Sequence, residues 1–334
     1  MRLEDRKTIN MEQVRREGIP QWDATGWGRE FANEKDRGNY TALAWLRQEV
    51  YQSTLDIVTA GKYQLPNGEV ITLELERDIA KETKFYSKEI IREFPRRYDT
   101  QTGAVNDDCL AYAARLCETE DGVCVLNMAD AINPGGLVLK GSGAQEEYLF
   151  RCSDYYRSLY QYARYASQYG VARSSQSYPL DRNYGGVFSP NVTVFRSTEE
   201  TGYALLEKPW KVSMIAVAGI NRPDLEYDKG EERIADYLVP CAKNKLRTIL
   251  RIAADNNQKT LVLGAIGCGA FRNPPRHIAS LFKEILCEEE FKGVFRRVLF
   301  VIKEDFHSPK HGNFTPFAKL FGSIDKNASI KPME

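Results

Sequence analysis

The chain has 334 residues, 43% of them hydrophobic, and its 46 Lys and Arg balance 46 Asp and Glu. That content supports an ordinary core in one large domain, or in a domain with an extension, while the zero net charge argues against nucleic-acid or anionic-membrane binding by bulk charge. No run approaches the length of a transmembrane helix and the charged start MRLEDRKTIN is no signal peptide; seven cysteines without C-x-x-C pairing and three histidines without ligand spacing give zinc, redox-motif and metal-hydrolase readings little to stand on, so no metal or redox cofactor is implied.

Residues 1–38 read as a polar arm with a short helix, broken at Gly18-Ile19-Pro20 and Gly26-Trp27-Gly28, whose Trp22 and Trp27 dock on the body. Tyr40 to Ala60 places Leu43, Leu46, Val50, Leu55 and Val58 near helical spacing, with Gly61 as a stop. Leu65-Pro66-Asn67-Gly68 is a turn, Glu69 to Leu75 alternates like a strand, and residues 76–103 read as helix and loop. Asn106 or Asp107 is the expected N-cap of a helix over 108–117. A buried strand over 123–126 leads into a glycine-containing loop, a helix from about Ala144, and a second, tyrosine-rich helical stretch to about Gln168, whose tyrosines read as packing. Residues 187–195 suggest two short strands or a hairpin. Strands over 211–217, 260–263 and 295–302 follow, with helices expected over 229–256 and 315–321 and a frayed tail from Ser323. The alternation of strands and helices indicates a layered α/β fold with a mixed sheet.

Two loops carry chemistry. The first follows the strand at 123–126 and contains Asn127, Asp130, Gly135-Gly136-Leu137 and Gly141-Ser142-Gly143, before a helix that opens with Gln145-Glu146-Glu147. Strand, glycine loop and helix form a phosphate-cradle layout, but neither G-x-G-x-x-G nor Gly-Lys-Ser/Thr is present, which sets kinase and dehydrogenase readings aside. Two carboxylates beside a phosphate loop repel the phosphate unless they address another part of the ligand. A molecule with phosphates at one end and a sugar at the other, such as ADP-ribose, resolves the conflict. The second loop, Gly264 to Pro274, has the same layout, with Gly267, Cys268, Gly269, Ala270 and Phe271 at its centre and Pro274 or Pro275 opening a helix.

Taken together, the paired glycines, spacer and Gln-Glu-Glu resemble the signature of the microbial-type poly(ADP-ribose) glycohydrolases, a branch of the macrodomain fold, over roughly residues 40–322. The resemblance implies a macrodomain-like three-layer α/β/α core with a mixed central sheet over 104–322, a mostly helical N-terminal extension over 39–103 packed on it, an unmatched arm over 1–38 and a tail over 323–334. It implies hydrolysis of ribose–ribose bonds of poly(ADP-ribose), carried on proteins, with release of ADP-ribose. Glu147 is then the general acid and base, Glu146 holds ribose hydroxyls and Gln145 helps fix the loop. Gly135, Gly136, Gly267, Cys268, Gly269 and Ala270 face the diphosphate or distal ribose, Phe271 packs on a ribose or the adenine edge, and Asn127 and Asp130 correspond to positions facing the distal ribose. Leu137 replaces the third glycine of the signature, where a leucine cannot take a positive φ cheaply. That departure leaves open a hydrolase of single ADP-ribosyl groups on protein side chains, or a non-catalytic ADP-ribose reader. Direct nucleic-acid or membrane binding is not expected, and the odd cysteine count points to an intracellular, cytoplasmic setting.

Overall fold

The computed structural model describes residues 18–228, 230–304 and 312–328. It begins with α1 (Ala24–Asp36), α2 (Tyr40–Ala60), β1 (Lys62–Gln64), β2 (Val70–Thr72), α3 (Ile79–Glu82), β3 (Lys84–Tyr86), β4 (Gln101–Val105) and α4 (Cys109–Cys117). The middle holds β5 (Val123–Met128), α5 (Gln145–Cys152), α6 (Tyr156–Leu159), β6 (Gly186–Arg196) and β7 (Leu205–Val217). The remainder is β8 (Leu225–Asp228), β9 (Glu231–Ile234), α7 (Val239–Asp255), β10 (Thr260–Leu263), α8 (Pro275–Leu286), β11 (Arg297–Val301) and α9 (Phe314–Phe321). Among the described residues no helix is long and apolar enough to cross a membrane.

The chain divides into two units, the first comprising residues up to Glu82 with Asn133–Tyr178 and Asn191–Lys211. Its long helix α2 starts at Asn39, whose side chain accepts the Ala42 N–H at 3.2 Å, and stops at Gly61 in the left-handed region. Arm helix α1 is likewise capped by Asp23. The core of this unit is aromatic: Tyr51, Phe150, Tyr155 and Tyr160 are fully buried, and Tyr51 and Tyr160 join hydroxyls at 2.8 Å. The tyrosine-rich stretch is thus packing, as expected, but it is not one helix. Ser153, in extended backbone, ends α5 and bridges to Val194 of β6; α6 and two 3₁₀ turns follow.

The second unit comprises Thr83–Ile132, Pro179–Pro190 and Val212 onward. Its fold is mixed α/β, built on a seven-stranded mixed sheet of order β3-β6-β7-β5-β10-β11-β4. The strands from β7 through β5, β10 and β11 to β4 run parallel, and β3 is antiparallel to β6. The buried runs of β5, β10 and β11 fit a parallel sheet covered on its faces. The apolar sides of α7, α8 and α9, among them Ile249, Ile252, Phe282 and Phe317, close this core.

Residues 76–103, expected as helix and loop, also hold β3 and the start of β4, and further expectations change. The helix expected over 229–256 begins at Val239, with Pro240 in its first turn; the residues before it form the β8–β9 hairpin, beside Gly230 at φ 85°. The expected start at Lys229 lies outside the described residues. The two short strands over 187–195 are one strand, β6, which passes through Pro190 with only a kink at Asn191, φ 51°. The cap of α4 is Asp108, accepting the Leu110 and Ala111 N–H groups, while Asp107 pairs with Arg115 instead. The tail does not fray at Ser323: Ser323 bridges to Ala104, and Ile324 donates to the Ala104 carbonyl at 2.8 Å and packs on Gly103. Residues 1–17 of the arm and 329–334 of the tail lie outside the described residues.

Candidate active site

In the first unit, α2 and α5 both engage the glycine loop over 133–144. Gly135 and Gly136 take φ 82° and 56°, conformations that only glycine adopts without strain. Space excludes side chains there as well. A Cβ on Gly135 would stand 2.7 Å from the Phe150 ring, and one on Gly136 would stand 2.5 Å from Glu147 Oε1 and 3.0 Å from Glu146 Oε2. The two glutamates are the reason: both are buried in the first turn of α5 and turned onto the loop. Glu146 Oε1 accepts the Gly135 N–H at 3.0 Å, and Glu147 Oε1 accepts the Leu137 N–H at 2.8 Å. The second Glu147 oxygen, Oε2, is buried and has no hydrogen-bond partner among the described residues. Gln145, just before them, is half-buried.

Leu137 resolves the conflict noted in the sequence. Its φ is −107°, an ordinary value, so its position does not need glycine; its side chain is 46% exposed while its N–H serves Glu147. The rest of the loop is pinned by residues that the sequence reading missed. Gln48 of α2 donates to the Leu139 carbonyl at 3.0 Å, Gly141 at φ 74° packs on the Ala44 carbonyl, and Gly143 lies over the Arg47 guanidinium. Tyr165 donates to the Pro134 carbonyl at 3.2 Å. Arg151, fully buried one turn beyond Glu147, donates from Nη1 to the Ser142 carbonyl at 2.7 Å and from Nε to the Tyr203 hydroxyl at 2.8 Å. Tyr203 donates to Glu199 at 2.9 Å, and Arg47 grips Glu199 with two hydrogen bonds, at 2.8 and 2.9 Å.

The electrostatics of this line are consistent. Burial holds the Tyr203 phenol protonated, well above its ordinary range, as its role as donor to Glu199 requires. Burial pushes Glu199 up, but the Arg47 hydrogen bond and charge outweigh it and hold the carboxylate below its ordinary value. Burial likewise draws Arg47 down, and Glu199 outweighs it in the other direction.

In the second unit the other expected residues gather at the C-terminal ends of adjacent parallel strands, the usual ligand edge of an open α/β sheet. Asn127, fully buried near the end of β5, is in register with Ala216 of β7. Asp130 is half-buried and accepts the Ile132 N–H at 2.7 Å, a local turn. After β10, Gly267 takes φ 75°, and a Cβ there would stand 2.5 Å from Asn273 Nδ2. Buried Asn273, also missed in the sequence, ties the loop by donating to the carbonyls of Ile220 at 2.6 Å and Gly267 at 3.0 Å. The loop after β7 reaches the same place: the Arg222 backbone N–H donates to the Phe271 carbonyl at 2.8 Å, and a Cβ on Gly219 would stand 2.9 Å from Gly267 Cα. Gly269 and Ala270 are exposed and Phe271 is half-buried. Cys268 is buried, which pushes its thiol well above its ordinary range and opposes a nucleophilic role.

Residues 51–197 match the family model described as microbial-type PARG, catalytic domain. Arg47, Glu199 and Tyr203 lie outside that span. No curated protein matches the chain in sequence. Among solved structures, it is similar to the poly(ADP-ribose) glycohydrolase of Thermomonospora curvata bound to the inhibitor ADP-HPD, at 29% identity and TM-score 0.63, over 82% of this chain and 98% of that one. It is similar to the poly(ADP-ribose) glycohydrolase of Deinococcus radiodurans in complex with ADP-ribose in two crystal forms. One matches at 29% identity and TM-score 0.56 over 75% of this chain and 98% of that one. The other matches at 31% identity and TM-score 0.52 over 67% and 84%.

Proposed function

The chain belongs to the microbial-type poly(ADP-ribose) glycohydrolases, and from that premise we propose that Glu147 is the general acid with which this glycosidase cleaves the ribose–ribose bond and releases ADP-ribose. The observation that carries the assignment is the division of labour within one carboxyl group. Glu147 Oε1 is occupied by the Leu137 N–H, so a proton on this carboxyl belongs on Oε2, which is buried without a partner among the described residues. An acid so arranged offers its proton in one direction.

The reaction needs such an acid because the leaving group is a sugar hydroxyl, a poor leaving group unless protonated as the C–O bond breaks. Glu147 gives its proton to the bridging oxygen while the anomeric carbon takes on oxocarbenium character. The resulting carboxylate then accepts a proton from the water that adds to that carbon, which restores the acid. Glu146, whose Oε1 is committed to the Gly135 N–H, orients ribose hydroxyls through its other oxygen, and Gln145 helps fix the loop. Gly135 and Gly136, with Leu137 beside them, bring backbone close to the diphosphate or distal ribose. For the second unit the proposed roles are diphosphate binding by the backbone of Gly267, Cys268, Gly269 and Ala270, packing of Phe271 on a ribose or the adenine edge, and contact of Asn127 and Asp130 with the distal ribose. No cofactor enters these steps. The polymer is taken as carried on proteins; no direct nucleic-acid binding is proposed, and the odd cysteine count favours an intracellular, cytoplasmic setting.

The test is release of free ADP-ribose from poly(ADP-ribose) and, in parallel, from mono-ADP-ribosylated protein, by the parent chain and by Glu147→Gln. Polymer turnover that is lost in Glu147→Gln is the expected result. Turnover of the mono-modified protein alone would move the substrate to single side-chain linkages, with half-exposed Leu137 the first residue to exchange.

A further inference from the structure

The hydrogen bonds behind Glu147 form a closed circuit. Arg151 of α5 donates to the Ser142 carbonyl at 2.7 Å; the Ser142 N–H donates to the Leu137 carbonyl at 3.3 Å; the Leu137 N–H donates to Glu147 Oε1 at 2.8 Å; and Glu147 returns to α5 one turn before Arg151. The acid is therefore held by the loop, and the loop by the Arg151 guanidinium. That guanidinium is fully buried, and its other directional bond goes to the Tyr203 hydroxyl.

Tyr203 stands there at a cost to its backbone. Its φ is 53°, a conformation that a bulky side chain adopts only when its surroundings enforce it. The enforcing groups come from the N-terminal arm. Trp27 packs edge-on against the Tyr203 ring at 5.2 Å and donates to the Leu46 carbonyl at 3.0 Å, while Trp22 donates to the Gly202 carbonyl at 2.8 Å. Gly202, at φ 69°, lies against the Ala24 carbonyl with no room for a Cβ. Phe31 of the same arm helix stacks on Trp27 at 4.7 Å and lies under the Arg47 guanidinium at 5.0 Å.

We propose that Tyr203 and Arg151 are positioning residues for Glu147, and that the arm segment around Trp22, Trp27 and Phe31 is part of the catalytic scaffold because it sets Tyr203. The proposal rests on the reading of Glu147 as the acid. The relay runs from Arg47 through Glu199 and Tyr203 to Arg151, and it ends on the Ser142 carbonyl, whose residue holds the Leu137 carbonyl through its own N–H. Each member is hydrogen-bonded to the next, with Arg151 Nη2 buried and unpartnered among the described residues, so removing one hydroxyl or one charge lets the loop drift while the fold stands. A drift of about 1 Å at an acid costs on the order of a hundredfold in rate.

The experiment compares Tyr203→Phe, Glu199→Gln and Trp27→Leu with the parent, reading kcat and KM for polymer and the amide exchange of Leu137 by mass spectrometry or NMR. Tyr203→Phe keeps the ring under Trp27 and removes only the hydroxyl. The expected result is a kcat lower by ten- to a hundredfold, KM within about twofold of the parent, and faster exchange at Leu137. Glu199→Gln, at a partly exposed side chain, moves the same readouts and stands in for any variant that fails to fold. Parent kcat and parent Leu137 exchange in Tyr203→Phe, or in Glu199→Gln where the former is unfolded, overturn the proposal. Glu147→Gln in the same assay separates the two claims. If it still turns over polymer, the acid assignment fails whatever Leu137 does; if it is inactive while Tyr203→Phe behaves as parent, the relay alone fails.

Discussion

The Leu137 N–H donates to Glu147 Oε1 at 2.8 Å, and through this bond the glycine loop and helix α5 hold each other in place. It also accounts for a leucine at a position where the family signature has glycine. What the position supplies is a backbone donor at φ −107°, which any residue but proline provides.

The two neighbouring positions should therefore respond oppositely. Gly136→Ala forces a positive φ of 56° on alanine and drives its Cβ into both carboxylates, so activity should fall at least a hundredfold and stability by about 1–3 kcal/mol. Leu137→Gly keeps the donor and should cost no more than about 1 kcal/mol, through loop entropy. Denaturant melts and ADP-ribose release on the two variants check this. A Gly136→Ala protein with parent activity would show that the carboxylates are not held as described.

Asn273 ties the second loop together, with its amide on the Ile220 and Gly267 carbonyls. Asn273→Ala removes the side-chain donor from the part-buried Ile220 carbonyl, while the Gly267 carbonyl keeps the backbone N–H of residue 273 at 2.9 Å, so the loss is about 1 kcal/mol. ADP-ribose affinity, measured by calorimetry on a Glu147→Gln background, should weaken about tenfold or more, because the loop loses its shape before it meets a ligand. Unchanged affinity would remove this loop from the binding account.

How far the sequence led can be judged residue by residue. The paired glycines and Gln145-Glu146-Glu147 were legible because their chemistry is local: a loop, a helix start and two carboxylates within one short stretch. The residues that hold the loop behind Glu147 were not, because they meet only in the fold. Arg47 and Glu199 are 152 positions apart, and Tyr203 carries no mark in the sequence of its positive φ. Arg151 reads in sequence as a cation at a helix C-terminus, an ordinary dipole partner. Among the elements, β4 was hidden by Gly103 at its centre, a residue depleted in strands. The β8–β9 hairpin was hidden by Glu231-Glu232-Arg233, good helix formers that tertiary pairing overrides.

Cys268 should be inert although it sits on the second glycine loop. Burial raises its thiol pKa, so it stays protonated at neutral and mildly alkaline pH. Iodoacetamide at pH 8 should label exposed Cys287 and leave Cys268 unmodified in the native protein, as read by peptide mass spectrometry. Equal labelling of the two would contradict the packing of this loop.

His277 gives the β8–β9 hairpin a pH dependence. Its Nδ1 accepts the Ile234 N–H at 2.9 Å, which requires a neutral ring, and burial, then Arg233, lower its pKa below 6.5, while Glu284 and Asp236 oppose the shift. The folded pKa is depressed, so the ring's contribution is present above pH 6.5 and is lost as pH falls through the lower folded value. Protection of the Ile234 amide, corrected for intrinsic exchange, should drop on acidification below that window while β10 amides keep theirs. Constant protection would show that the imidazole is not the acceptor.

The most direct test of the central claim is one preparation of Glu147→Gln, measured twice: turnover of poly(ADP-ribose) and affinity for ADP-ribose. Glutamine keeps an oxygen to accept the Leu137 N–H but has no proton to give to a leaving sugar. The account predicts kcat lower by about a thousandfold or more with ADP-ribose affinity within about threefold of the parent. Turnover within tenfold of the parent, at equal affinity, would contradict it and place the acid elsewhere.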